Sequence, residues 1–523
     1  METMITTSAA IPWLSILLAV PGVGGILIAS FAPLRVVGRW VALVISLVTA
    51  ALAVMIAATM DWSASGYHLV ETLPWIPQLG ISWALGVTQL SMAMILLAVL
   101  LVPIVILAAW KEDAGHPDEG RVSGMYAALI LILEMFMVMI FAARDVAVFY
   151  FAFEAMLIPL YFMIGRFGGR DSHRAAVKFL LYSLAGGLVM LGGVITIWAT
   201  SDHSATVFLY EQLAQTQYPA GIEMAIFLTF FTAFAIKAPM VPVHTWLPDT
   251  AAAARPGTSV LLVGVLDKIG TYGMIALCLP MFPRASVVAA PVIIGFAVLS
   301  ILYGGIAAIG SRDLMRLVSF TSVSHFGFMV VGIYIGSHLS LVGAMVYMVA
   351  HGVSIAAMFL ISGFLTQRGG TREIAAYRGM QRVTPVLAGT WLIAGLASVA
   401  LPGLSGFVPE YLVLMGTWSV NPAVAVLCVL GVVLAALYLL VPYQAIFTGP
   451  VPADAARFRD LGAREKTVVA PLLVAAVVLG VWSAPLVSAL NPVADTAIDD
   501  FRVGQGTTDI EFATTTSQEG MNK

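Results

Sequence analysis

Long apolar runs dominate this chain and restrict what it can fold into. Of its 523 residues, 60% are hydrophobic and only 10% are charged, which is too few polar groups to cover a soluble domain of this size. A helix that crosses the hydrocarbon core needs about 20 mainly apolar residues, and fourteen such runs can be marked. Because helices satisfy their own backbone hydrogen bonds in hydrocarbon, we predict an all-α polytopic membrane protein with fourteen transmembrane helices.

The distribution of basic residues agrees with this count. Nineteen of the 25 Lys and Arg residues fall on one side of the fourteen predicted spans, four fall on the other side, and Lys237 and Lys268 fall inside spans. Basic residues concentrate in cytoplasmic loops, and one missing or extra helix would scramble the alternation. We therefore predict that both termini lie on the non-cytoplasmic side.

Eight ionisable residues lie inside the predicted spans. A charge at the bilayer centre costs about 2.5–3.5 kcal/mol on insertion scales, so such residues are functional candidates. Five of the eight, Glu154, Lys237, Lys268, His325 and His351, lie nine to fourteen residues after the start of their predicted helices. At a rise of about 1.5 Å per residue this places them roughly 14 to 21 Å into the membrane, near the midplane. This layer parallel to the membrane favours lateral transfer of a small charged species over a substrate pore. The eight are Glu134, Glu154, Lys237, Asp267, Lys268, His325, His351 and Glu410.

Two predicted spans are interrupted beside an ionisable residue. In the seventh span, Lys237 is followed by Pro239 and Pro242, and in the twelfth, Pro402 and several glycines precede Glu410. A proline removes a helix hydrogen bond, and paired interrupted helices in two halves of a chain indicate a transport site. The odd separation of five spans gives the two helices opposite directions. We therefore predict two inverted five-helix repeats, helices 4–8 and 9–13, with helices 7 and 12 discontinuous.

These repeats divide the chain into five segments. Residues 1–123 hold helices 1–3, residues 124–283 the first repeat, residues 284–450 the second repeat, and residues 451–490 helix 14. Residues 491–523 carry six acids and two bases and are Thr-rich, a composition typical of disorder. We predict a flexible acidic tail there, on the non-cytoplasmic side.

Lys237 and Glu154 form the predicted central pair. Burial disfavours the charged form of a lysine, whereas a nearby carboxylate favours it. A change in their separation would therefore switch Lys237 between holding and releasing a proton, although a fixed counter-ion role for Glu154 is also compatible. Lys268, His325 and His351 are predicted intermediate stations, because histidine titrates near neutrality. For each histidine, a hydrogen-bonded core imidazole is the alternative.

Redox chemistry is not expected in this chain. Its two cysteines, Cys278 and Cys428, are too few to hold an iron–sulfur cluster, and no Gly-rich strand–turn–helix loop for a nucleotide is present. We expect neither a cofactor nor a metal site. A different class, a membrane haem protein with His325 and His351 as axial ligands, would be revealed by a visible absorbance spectrum.

Several motifs together resemble one family. They are FxxEAMLIPLY around Glu154, the lysine before the Ala-Pro break, HTWLPD at 244–249, VSHFGF around His325, the histidine of the eleventh span and GFVPEY around Glu410. This set resembles the antiporter-like subunits of respiratory complex I, the proton-translocating NADH:quinone oxidoreductase, over about residues 145–411. The glutamate at position 410 is typical of the M-type subunits, whereas L and N types carry lysine there. No long lateral helix is predicted after the fourteenth span, which also favours the M type.

The resemblance implies a role for each matched residue. If the resemblance holds for function, the chain is part of an enzyme that moves protons across a bacterial plasma membrane. Redox chemistry in partner subunits would drive this transport. The proton carriers would be Glu154 and Lys237 as the central pair, Lys268 and His325 as the connecting relay, His351 as a further member of the polar axis, and Glu410 on the exit side.

The resemblance also implies partners. L-like and N-like antiporter-like subunits and the lipid bilayer are expected, and nucleic acid is not. NADH, FMN, iron–sulfur clusters and quinone would belong to other subunits of the complex. The alternative is a subunit of a multi-subunit cation/proton antiporter, which would use the same Lys–Glu pair.

Two acids inside the predicted spans fall outside this pattern. Asp267 stands where the family usually has an apolar residue. Neighbouring residues on a helix point about 100° apart, so Asp267 need not touch Lys268; it either pairs with another chain or tunes the relay. For Glu134 two roles are compatible with the sequence: a place in the relay, or a hydrogen bond between helices.

Overall fold

The computed structural model describes residues 11–204, 206–451 and 458–506. Twelve helices in these ranges are long and apolar enough to cross a membrane, and a bent pair near the C-terminus would make a thirteenth span. The predicted helical, polytopic membrane protein is therefore confirmed, with about 12–13 candidate spans.

The N-terminal part contains four long helices, one short helix and a small hairpin. Its elements are α1 (Trp13–Ser30), α2 (Ala32–Val36), α3 (Gly38–Thr59), β1 (His68–Ile76), β2 (Ile81–Val87), α4 (Gln89–Ala108) and α5 (Glu119–Ala142).

Within the residues that the structure describes, the antiparallel hairpin of β1 and β2 is the exception to the helical architecture. Sequence patterns did not indicate it. Pro74 and Pro77 disfavour a helix in this segment, and Gly80, with φ of +73°, adopts the left-handed backbone that closes the turn. The Glu71 carboxylate on β1 accepts hydrogen bonds from the backbone N–H groups of Leu14 and Ser15. The hairpin thus caps the start of α1.

The middle of the chain contains short helices separated by breaks. They are α6 (Val146–Ala155), α7 (Leu157–Gly165), α8 (Ser172–Ala199), α9 (Tyr210–Leu213), α10 (Ala220–Lys237), α11 (Trp246–Ala253), α12 (Pro256–Leu261), α13 (Lys268–Gly273) and α14 (Leu279–Met281). Two π-helical segments, Leu262–Leu266 and Met274–Cys278, flank α13. Together α12, α13 and α14 form one apolar rod, Pro256–Met281.

The C-terminal part has longer helices. They are α15 (Pro283–Ile309), α16 (Leu314–Tyr334), α17 (His338–Gly369), α18 (Pro385–Ser398), α19 (Phe407–Val420), α20 (Pro422–Phe447), α21 (Ala463–Val481) and α22 (Ala484–Gln505).

Three rods form the centre of the bundle. In the most apolar window of the Pro256–Met281 rod and of α17, 94% of the residues are buried, and in that of α16 all are. The corresponding windows of α3 and α20 are only 39% and 33% buried. An apolar helix that is buried on every side belongs to the interior of the bundle. Ionisable residues on the central rods are therefore shielded from lipid by other helices of the same chain.

The C-terminal segment departs from the expected flexible tail. Residues 491–505 form most of α22, which bends by 71° from α21. Its buried residues recur every three to four positions, a spacing typical of an amphipathic helix, and they are Leu490, Ala494, Ala497, Ile498 and Phe501. The acids that suggested disorder are interspersed between these apolar residues. The remainder of the predicted tail, 507–523, lies outside the described residues.

Ion pairs join helix residues and loops at the end of the bundle that carries most of the basic residues. These contacts link segments far apart in the chain and hold one end of the bundle together. They include Arg255–Asp113 at 2.5 Å, Lys178–Asp249 at 2.6 Å and Arg368–Glu465 at 2.6 Å.

Candidate functional site

The C-terminal end of α10 places Lys237 in an aromatic pocket. Its ammonium Nζ lies 5.2 Å from the ring centroid of Phe153 and 5.3 Å from that of Phe179. The residue is 1% exposed, and among the described residues Nζ has no hydrogen-bond partner. Aromatic faces attract a cation weakly, by roughly 0.5–2 kcal/mol. The lysine is therefore held by packing and is not fixed by an ion pair.

The break after Lys237 is stabilised by protein groups. Pro239 has no N–H to continue the helix. The backbone N–H of Met240 donates to the carbonyl of Ala235 and the indole Nε1 of Trp246 donates to that of Ile236, both at 3.0 Å. Protein donors thus occupy two of the carbonyls at the break.

Glu154 ends α6 and rests against α8. It is half-buried, and its carboxylate lies so close to Gly187 that a Cβ there would come within 1.5 Å of Oε1. Glu154 and Lys237 act on each other electrostatically, yet among the described residues no ion pair within 4 Å joins them. The structure brings the predicted pair into one region without direct contact.

Lys268, at the start of α13, is hydrogen-bonded on two sides. Its Nζ donates to the carbonyl of Val263 at 2.9 Å and lies 3.0 Å from Nδ1 of His351 on α17. Val263 belongs to the π-helical segment, whose wider turn leaves carbonyls free of the usual bonding pattern; such segments often occur at functional sites. Lys268 and His351 are thus in direct contact, as a relay requires.

The two histidines meet at the centre of the bundle. The ring centroids of His325 on α16 and His351 are 5.1 Å apart, edge to face. His325 Nε2 lies 3.0 Å from the hydroxyl of Tyr438 on α20. Rings in mutual contact and already bonded to Lys268 and Tyr438 do not fit axial ligation of a haem iron, which would have to lie between them.

Glu410 completes the row of polar groups. It is 5% exposed and lies in the first turn of α19, where the helix dipole favours negative charge. Its Oε2 accepts a hydrogen bond of 2.8 Å from the hydroxyl of Tyr347 on α17. The Tyr347 ring lies 5.8 Å from that of His325. Lys268, His351, His325, Tyr347 and Glu410 therefore form a contiguous buried row.

The sequence analysis missed the two tyrosines. Tyr347 lies four residues before His351, so both side chains lie on one face of α17; this spacing could have identified it. Tyr438 comes from α20, whose sequence contains no Asp, Glu, Lys, Arg or His, and no sequence signal indicated it.

Glu134 does not join the row. It is fully buried in α5, and neither of its carboxylate oxygens has a hydrogen-bond partner in the described part of the chain. Over the same residues, no group of three or more His, Cys, Asp or Glu side chains is placed to hold a metal ion.

Known proteins resemble this chain in both sequence and fold. A protein-family model described as NADH:quinone oxidoreductase/Mrp antiporter, TM, matches residues 143–436. NADH-quinone oxidoreductase subunit M of Mycobacterium tuberculosis is 42% identical over 517 residues, covering 93% of this chain and 94% of that protein. A chain of respiratory complex I from Thermus thermophilus superposes with a TM-score of 0.84 at 31% identity, covering 93% of this chain and 99% of that one.

A second solved structure shares the fold. A chain of the Mrp complex from Dietzia sp. superposes with a TM-score of 0.82, covering 94% of this chain and 98% of that one. At 21% identity this likeness concerns the fold alone.

Proposed function

Because this chain belongs to the NADH-quinone oxidoreductase subunit M family, we propose that its buried polar row carries protons within the membrane arm of a proton-translocating NADH-quinone oxidoreductase. The observation that carries the proposal is the unbroken contact from Lys268 through His351, His325 and Tyr347 to Glu410. Side chains that exchange protons, buried together in the bundle interior, are typical of proton relays.

The relay begins at Lys237. When Glu154 moves away, Lys237 loses its stabilising charge and releases a proton towards Lys268. Lys268 passes a proton to Nδ1 of His351, with which it is already hydrogen-bonded, and His351 is in ring contact with His325. Glu410, reached through the Tyr347 hydroxyl, carries the proton to the exit side.

The energy comes from partner subunits. Moving one proton against 100 mV costs about 2.3 kcal/mol, and we propose that NADH oxidation and quinone reduction outside this chain supply it. The proton carriers in this chain need no cofactor; FMN, iron–sulfur clusters and quinone would be held elsewhere, and L-like and N-like subunits would be neighbours in the membrane arm.

A fourteen-span topology fits this role. We propose that α10 with α11 and α18 with α19 are two discontinuous spans, each interrupted beside an ionisable residue, and that helices 4–8 and 9–13 are inverted repeats. The ion-paired loops at the basic end support a cytoplasmic location for that end, with both termini on the opposite side of a bacterial plasma membrane.

A deletion of this chain tests the proposal against the antiporter alternative. Inside-out vesicles from cells that lack it should show no NADH-driven acidification of the lumen through this enzyme, and re-expression should restore it. The affinity-tagged chain should copurify with subunits that oxidise NADH. If it instead purifies without them and exchanges Na⁺ for protons across the vesicle membrane, the antiporter assignment is correct.

Gly187→Ala tests the role of the Glu154 position. The new methyl group would collide with Oε1, so the carboxylate must move relative to Lys237. A displacement of about 1 Å can slow a positioned reaction by up to roughly 100-fold. We expect slower NADH-driven proton pumping in vesicles, with the complex still assembled.

Gly192→Ala on the same helix is the matched control. A Cβ at Gly192 has no neighbour within 4 Å. Replacing glycine by alanine stabilises the helix by about 1 kcal/mol in both variants, so only the collision with Glu154 differs between them. Equal pumping by the two variants would show that the Glu154 position does not matter.

Tyr347→Phe tests the contact with Glu410. The variant keeps the ring but removes the hydroxyl that donates to Oε2. A hydrogen bond to a charged group contributes about 1.5–3 kcal/mol, so we expect pumping to slow by roughly tenfold or more. Tyr411→Phe is the control, because Tyr411 is 50% exposed. A Tyr347→Phe complex that pumps as fast as this control would remove Tyr347 from the path.

A further inference from the structure

Asp267 is a buried acid that the row from Lys268 to Glu410 does not use. It is 0% exposed, and among the described residues neither carboxylate oxygen has a hydrogen-bond partner. Burying a polar group without a partner destabilises a fold. An acid that adds no structural hydrogen bond at such a position calls for a functional explanation.

The packing of α13 points Asp267 towards the end of α10. Gly270 lies one helical turn after Asp267, on the same face of the helix. A Cβ at Gly270 would come within 2.6 Å of the Ala238 nitrogen and 2.5 Å of the Phe234 carbonyl oxygen. The face that carries Asp267 is therefore pressed against the segment that ends in Lys237.

Two cations act on the Asp267 carboxylate. They are its chain neighbour Lys268 and, across the helix interface, Lys237. Neither forms an ion pair with it within 4 Å among the described residues. The Asp267 carboxylate is therefore within electrostatic range of both Lys237 and Lys268, and among the acids named in the site it is the one that acts on both lysines.

We propose that Asp267 is the proton carrier that links Lys237 to Lys268, an inference that rests on the proposed function. In the first step the Lys237 ammonium gives a proton to the Asp267 carboxylate, which leaves a neutral amine and a carboxylic acid. In the second step the acid gives this proton to the neutral amine of Lys268, which restores the carboxylate and forms an ammonium. Both steps move one proton, and neither changes any oxidation state.

The contact between Lys268 and His351 favours the second step. The Lys268 Nζ contacts His351 Nδ1 at 3.0 Å, so a proton taken from Asp267 is balanced by one passed on to the imidazole. Among the described residues, no hydrogen bond fixes the Asp267 carboxylate in one orientation, and in the proposed transfer it turns between the two amines by rotation about its side-chain bonds.

Three substitutions at position 267 separate proton transfer from packing. Asp267→Asn keeps the size and polarity of the side chain but cannot carry a proton, whereas Asp267→Glu keeps the acid and changes its length. If Asp267 only fills space or supplies polarity, Asn is tolerated better than Glu. If it carries the proton, Glu is tolerated better than Asn. Asp267→Ser serves in place of Asn if the Asn complex does not assemble.

The readout is NADH-driven lumen acidification in inside-out vesicles that contain the whole complex, normalised to assembled complex. Proton transfer by a positioned side chain contributes about 10²–10⁴-fold, so Asp267→Asn should slow acidification by roughly 100-fold, with Glu restoring a measurable part. Asp202→Asn, at an exposed loop position, should match wild type.

Lys237→Ala distinguishes a failure of the Asp267 inference from a failure of the proposed function. If Lys237→Ala stops pumping while Asp267→Asn pumps at the wild-type rate, or while Glu is no better than Asn, the Asp267 inference is overturned and the proposed function stands. If Lys237→Ala itself pumps normally, the proposed function fails.

Discussion

Membranes carrying Lys237→Ala should reduce quinone with NADH roughly 100-fold more slowly than wild-type membranes. Without the amine, a proton at this point in the bundle has no side chain to occupy, and an uncompensated charge at the bilayer centre costs about 2.5–3.5 kcal/mol. Each 1.4 kcal/mol added to a barrier slows a reaction about tenfold. Because quinone reduction is coupled to pumping, blocking the proton step slows the electron step.

The assembled complex should survive this substitution. Among the described residues Lys237 Nζ forms no hydrogen bond, so no partner is left unsatisfied when it is removed. The amount of complex in a native gel should therefore match wild type. Lys466→Ala is the control, because Lys466 is exposed. A normal rate of quinone reduction in the Lys237→Ala complex would exclude Lys237 from the coupled reaction.

Glu410→Gln should have an effect of similar size for a different reason. The glutamine has nearly the same shape and can still accept the hydrogen bond from the Tyr347 hydroxyl. It cannot take up a proton, so the last step of the row is blocked while its packing is kept. We expect NADH-driven acidification to fall by roughly 100-fold, within the range attributed to positioned proton carriers.

A matched substitution separates the loss of the carboxyl group from general effects. Glu373→Gln changes an exposed acid in the same way and should leave pumping unchanged. If Glu410→Gln pumps like Glu373→Gln, protons leave by another route and the exit assignment is wrong.

Much of the fold follows from the sequence because the membrane imposes one rule on every span. Apolar runs of sufficient length become helices, and the prolines near Lys237 and Glu410 end α10 and precede α19 at the positions expected. The hairpin β1–β2 lies outside the spans, where this rule does not apply. The helix over residues 491–505 was missed because its acids obscured a buried stripe that ends at Phe501.

The sequence indicated most residues of the buried row but not their contacts. Charged residues in apolar runs are easily recognised, which is how Lys268, His351 and Glu410 were predicted. Tyr347 and Tyr438 carry no charge, and aromatic residues are common in membrane helices, so their part in the row emerges only when helices distant in sequence are packed together. The same packing brings Asp267 within electrostatic range of Lys237 as well as of its chain neighbour Lys268.

The initial rate of NADH-driven lumen acidification tests the central claim most directly. A limited pulse of NADH is given to inside-out vesicles with a trapped pH indicator, and lumen acidification is compared between wild type and Lys237→Ala. We predict that the variant oxidises the NADH slowly and acidifies the lumen little or not at all. An unchanged rate of acidification in the variant would contradict the account, because protons would then cross without the buried lysine.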